Sequence, residues 1–137
     1  MEPLIQWGID NFEEYGFLVE RLETPELPLL LATKIVSKEA NTILIYLQFD
    51  GQPVDNSKWN QENPYKAVLK QKIDNEYKIV DWSTLNDVSY NEIQEKDLRI
   101  FARSASDAKG PVMMILNAFE IMRRNDIELK YLSLIHI

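Results

Sequence analysis

Thr42-Ile43-Leu44-Ile45-Tyr46-Leu47 runs directly into Gln48-Phe49-Asp50-Gly51-Gln52-Pro53-Val54-Asp55. The first six residues are apolar or β-branched with no polar alternation, the pattern of a strand buried on both faces. Asp50-Gly51-Gln52-Pro53 then stops it. On the N-terminal side, Leu4, Ile5, Ile9, Phe12 and Tyr15 recur at helical steps and Gly16 follows as a C-terminal cap. Phe17 to Leu22 reads as a short strand, broken by Thr24-Pro25-Glu26 and Pro28, and Leu29 to Ile35 as a second. On the C-terminal side, Asn56 to Pro64 reads as a loop, Tyr65 to Ile73 has no clear pattern, and Tyr77 to Trp82 suits a strand. Asn86 to Asp97 is polar and turn-rich, and Leu98 to Ala102 suits another strand. Val112, Ile115, Leu116, Phe119 and Met122 keep strict helical spacing up to Arg123-Arg124-Asn125, with Met113-Met114 read as core filling. Glu128 to Ile137 reads as a final strand. Strands alternating with helices predict an α/β fold with a mixed, largely parallel sheet flanked by helices.

The chain has 137 residues, with Lys+Arg 15 against Asp+Glu 22 and a net charge of −7. Its pI near 4.7 argues against a nucleic-acid surface, which needs clustered cations. Hydrophobic content of 45% with 27% charged residues excludes a disordered tail. The absence of Cys excludes disulfides and thiolate chemistry, and the one His, at 136, excludes a complete multi-imidazole site within the chain. No basic stretch followed by an apolar one opens the sequence, and no apolar run approaches the ~20 residues of a membrane span. A cytoplasmic protein with no membrane partner is the expectation.

In an α/β sheet, ligands bind in loops past the carboxyl ends of strands. Two such loops carry acids: Asp50 after the apolar run, and Asp107 within Ser104 to Gly110. A carboxylate there can ligate a metal or orient a ligand. Equally, Asp50 suits a turn and Asp107 a helix N-terminal cap.

The stretch Leu44 to Asp55 resembles the first motif of the acetylornithine deacetylase / succinyl-diaminopimelate desuccinylase / carboxypeptidase family of metallopeptidases. That motif is an apolar strand, then Gly-His-x-Asp, then a Val-Gln-Pro-Val-Asp type run. Arg103-Ser104-Ala105-Ser106-Asp107-Ala108-Lys109-Gly110 resembles the second, Arg-Gly-x-Ser-Asp-x-Lys-Gly, which opens a helix. Trp59, Pro64-Tyr65 and Tyr15-Gly16-Phe17 fall where the family has similar residues, so the resemblance covers about residues 4 to 130. It implies a metal-dependent amide-bond hydrolase using two zinc ions on a peptide or N-acyl amino acid substrate. It further implies a metal-bridging carboxylate at Asp107 and a catalytic carboxylate at Asp50 that orients a metal ligand. A homodimer would form through a domain that this chain does not carry.

One departure stands at Gln48, where the family has a metal-ligating His. A Gln amide oxygen is a poor zinc ligand. The subgroup holds its metals differently, or has lost catalysis and kept the fold as a binding or structural module, or uses Gln48 only to hydrogen-bond Asp50. The family's Glu-Glu pair and later ligands find no counterpart, so residues 1–131 are expected to be part of a metallopeptidase-like catalytic domain, inactive alone. Residues 132–137, Leu-Ser-Leu-Ile-His-Ile, are the translation of CTG TCT CTT ATA CAC ATC, a transposon-end adapter used for sequencing libraries. They are expected to be adapter-derived, which would remove His136 from any function.

Overall fold

The computed structural model describes residues 2–130 and, for the backbone alone, Leu132–His136. In chain order the elements are α1 (Glu2–Glu14), β1 (Leu18–Leu22), β2 (Leu29–Lys34), β3 (Thr42–Tyr46), β4 (Val68–Ile73), β5 (Glu76–Val80), α2 (Tyr90–Glu95), β6 (Leu98–Phe101), α3 (Lys109–Arg124) and β7 (Leu132–His136). They form two compact units, Met1–Phe49 with Ala108–Ile137, and Asp50–Asp107.

In the first unit the apolar stripes of the two helices meet one face of a sheet. Phe12 of α1 and Val112, Leu116 and Phe119 of α3 close with Phe17, Ala32 and Leu47 into one buried cluster. Phe17 lies 5.1 Å from Phe119 and 5.9 Å from Phe12 between ring centroids, so three aromatic rings from three segments share the centre. α1 ends as its sequence predicts: Gly16 takes φ +76, and its N–H donates to Glu13 O at 2.8 Å. At the end of α3, Asn125 donates through Nδ2 to Ile121 O at 2.8 Å.

The sheet of this unit has the order β1-β2-β7-β3. β1 pairs antiparallel with β2, setting Leu18 opposite Thr33 and Leu22 opposite Leu29. β2 and β7 are antiparallel, and β3 and β7 run parallel. The second unit has a sheet of order β5-β4-β6, antiparallel throughout. The expected largely parallel sheet is therefore wrong. The fold is mixed α/β, split over two small sheets, and apart from the ladder between β3 and β7 every pairing is antiparallel. The physical reason is local. β1/β2 and β4/β5 are consecutive strands joined by short turns, and only antiparallel pairs can be joined that way.

Two burial expectations also change. β3 is an edge strand, with Leu44 63% and Tyr46 64% exposed, although its sequence reads as buried on both faces. Ile45 packs against the core cluster, and Leu44 and Tyr46 fall on the opposite face by strand alternation. Met113 and Met114 are exposed, at 46% and 72%. Val112, Leu116 and Phe119 already take the inward stripe of α3, and residues one and two steps past Val112 turn away from it.

The second unit centres on β4, where Leu69 is 1% exposed. The β4–β5 turn places Asp74 at φ 51 and Asn75 at φ 65, the two positive values of a tight I′ hairpin. α2 begins with a full capping box, in which Ser89 accepts from Glu92 N and Glu92 accepts from Ser89 N. Tyr77 donates its hydroxyl to Asp97 at 2.7 Å, and Arg99 Nε donates to the same carboxylate at 2.6 Å. These bonds, Tyr77 first and Arg99 second, hold the Asp97 carboxyl below its ordinary range. Because the folded value is the lower one, the stabilisation is present above the ordinary Asp range and lost as pH falls through the folded value. Urea midpoints of the second unit are expected to drop as pH falls below about 4. Tyr77→Phe is expected to flatten that dependence; an unchanged pH slope in the variant would show that Asp97 does not carry it.

No helix among the described residues is long and apolar enough to cross a membrane.

Candidate functional site

Both acid-bearing loops belong to the second unit, where two contacts join them. Arg103 Nε donates to Gln52 O at 2.7 Å, tying the loop after Asp50 to the segment before Asp107 across 51 residues of sequence. Arg103 N also donates to Pro64 O at 2.6 Å, so its backbone and side chain anchor on two different loop segments. Beside Arg103, Ser104 is 7% exposed and holds φ 64 in the left-handed region. Its side chain lies against Gly51, where a Cβ would come within 2.8 Å of Ser104 Cβ. Gln61 supports the same strand end, its Nε2 donating to Asn63 O and Lys66 O at 3.1 Å and to Phe101 O at 3.4 Å.

Asp50 and Asp107 are both exposed on these joined loops. Gln48 is exposed one residue past the buried Leu47 and belongs to the first unit. The helix-cap alternative for Asp107 is not what forms, because Ala108 takes the N-cap position of α3 with no side-chain capping bond. Asp55, the last residue of the first motif, is committed locally. It accepts from Ser57 Oγ at 2.7 Å and from Ser57 N at 3.1 Å, which lowers its carboxyl from the ordinary value and caps the turn Asn56–Lys58.

Two zinc ions need several nitrogen or carboxylate donors converging at about 2.0–2.2 Å from each metal. Among the described residues no group of three or more His, Cys, Asp or Glu gathers in that way. Two exposed carboxylates and a Gln amide do not fit a two-zinc centre by themselves. Sequence reasoning found the two acids but missed the parts that join their loops. Arg103 was visible only as a motif letter. Gly51 read as a strand stop, while its contact with Ser104 had no local signal at all.

No family model and no curated protein matches the sequence. Solved structures do. Human carnosine dipeptidase 1 superposes with a TM-score of 0.67 at 19% identity, over 98% of this chain and 25% of that one. The dipeptidase Dug1p from Saccharomyces cerevisiae superposes with a TM-score of 0.66 at 18% identity, over 96% of this chain and 25% of its own. The chain has the fold of part of these dipeptidases. It spans about a quarter of the length of either. The motif resemblance and the structural likeness thus agree at the level of fold.

Proposed function

We propose that this chain is part of a metal-dependent amide-bond hydrolase of dipeptidase, carboxypeptidase or N-acyl amino acid deacylase type, and that it does not catalyse alone. The observation that carries this reading is the likeness to part of two dipeptidases over nearly the whole chain, with both motif loops held together by the Arg103–Gln52 bond. On this reading the substrate is a peptide or N-acyl amino acid. Asp107 is the metal-bridging carboxylate, Asp50 orients the group at position 48, and the zinc ions are completed by donors from the rest of a longer protein. A homodimer would form through a further domain.

A second reading, a non-catalytic descendant that keeps the fold as a binding or structural module, draws on Gln48, which stands where the family has a metal-ligating His.

The deciding experiment is the parent DNA beyond the codon for Tyr131, with expression of what it encodes. A downstream Glu-Glu pair, zinc bound to the longer product, and dipeptide hydrolysis are expected. A longer product that binds no metal and cleaves no dipeptide overturns the hydrolase in favour of the binding module. The same DNA tests the proposal that Leu132–Ile137 is adapter-derived, since a genuine stop codon after Ile137 in an independent clone would sink it. The purified 137-residue chain with added zinc is expected to show no dipeptide turnover. Turnover free of host enzymes would refute its inactivity.

A further inference from the structure

Gly51 and Ser104 compete for one volume from two different loops. A Cβ on Gly51 would sit 2.8 Å from Ser104 Cβ and overlap Ser104 Oγ outright, so both positions cannot carry side chains in this geometry. Ser104 is buried and held at φ 64, where a side chain is disfavoured and Gly is the ordinary residue. The chain therefore places its glycine on the loop that could take a side chain, and its side chain where the backbone would favour glycine. The two motifs that the sequence resembles have the reverse: Val where Gly51 stands, and Gly where Ser104 stands.

We propose that Ser104 is a positioning residue for Asp50. Its side chain fills the space left open at Gly51. Together with the Arg103–Gln52 bond it fixes the loop bearing Asp50 against the loop bearing Asp107. With glycine at both positions, a void would open beside a backbone that is already freer to move. The backbone cost of the left-handed Ser104 is therefore the cost of a fixed loop. The importance of Asp50 and Asp107 rests on the hydrolase reading; the lock between the loops does not.

The test is a double-mutant cycle on the full chain, read by NMR backbone order parameters and by urea unfolding. Gly51→Ala is expected to lower the unfolding midpoint of the second unit, because Ser104 Cβ cannot rotate out of the way. Ser104→Gly relieves the backbone and is expected to leave that midpoint unchanged or raised. In the same variant the backbone N–H order parameters of residues 50–52 should fall from about 0.85 to below about 0.6 while those of β4 to β6 stay unchanged. A residue that only supported the fold would not separate those two readouts. Gly51→Ala/Ser104→Gly moves the side chain to the other loop and is expected to return the order parameters at 50–52 to those of the parent chain. Three results overturn the proposal: a neutral Gly51→Ala, unchanged loop order parameters in Ser104→Gly, or a double variant no better than Gly51→Ala. If the cycle closes as expected and the longer protein cleaves nothing, only the hydrolase reading falls.

Discussion

Phe12→Ala is expected to lower the urea midpoint of the first unit more than any other single substitution in it. The Phe12 side chain is fully buried and meets Phe17 edge-on at 5.9 Å. Phe17 in turn packs on Phe119 of α3, so removing Phe12 opens a hole where α1, α3 and the sheet converge. Truncating a buried Phe to Ala costs about 3–5 kcal/mol, a large share of the ~5–15 kcal/mol by which a whole domain is stable. Far-UV circular dichroism across a urea series, with amide exchange in α1 and α3, measures the effect. A midpoint equal to that of the unsubstituted chain would mean that Phe12 does not hold the core together.

The second large effect belongs to the other unit. Leu69→Ala removes the side chain of the central strand β4, 1% exposed and registered opposite Val80 on one side and Ile100 on the other. A buried Leu-to-Ala change costs about 2–5 kcal/mol, and the spread reflects how far the surroundings collapse into the cavity. A three-stranded sheet has few neighbours to move in, so the expectation lies toward the upper end. Amide protection in β4, β5 and β6 should fall together, because those strands form one ladder. Loss confined to residues next to Leu69 would show that the sheet does not open as a unit.

The site was legible in pieces. Asp50 and Asp107 stand out because each follows an apolar strand run, and motif order links them. What joins their loops did not stand out. The Arg103–Gln52 bond spans 51 residues, and the Gly51–Ser104 contact is equally non-local. No periodicity encodes such contacts. α2 was missed for a different reason: its six residues are too short to show a helical stripe, although Ser89 and Glu92 carry the capping signal. The β4–β5 hairpin was missed because Asp74-Asn75 is a less common pair for a turn usually marked by glycine.

Backbone pairing of Leu132–His136 as β7 between β2 and β3 does not argue for a natural origin, since a hexapeptide with two Leu and two Ile suits a strand wherever it comes from.

The sequence by itself determined α1 and α3 and their inward faces. Phe12 on α1 and Val112, Leu116 and Phe119 on α3 are set by a 3.6-residue period, and every contact that defines that period lies within one segment. It also determined where most strands begin and end, because turn residues act locally. Only the tertiary structure decided that β7 pairs between β2 and β3 and that β6 joins β4 in a separate sheet, and so split the expected sheet in two. The same holds for β3: an apolar run states that a strand can be buried, but burial depends on which neighbours arrive, and β3 receives one strand and one covered face. Gly51 and Ser104 show the limit most sharply, since two residues that divide one volume can be read only together, and nothing but the fold brings them together.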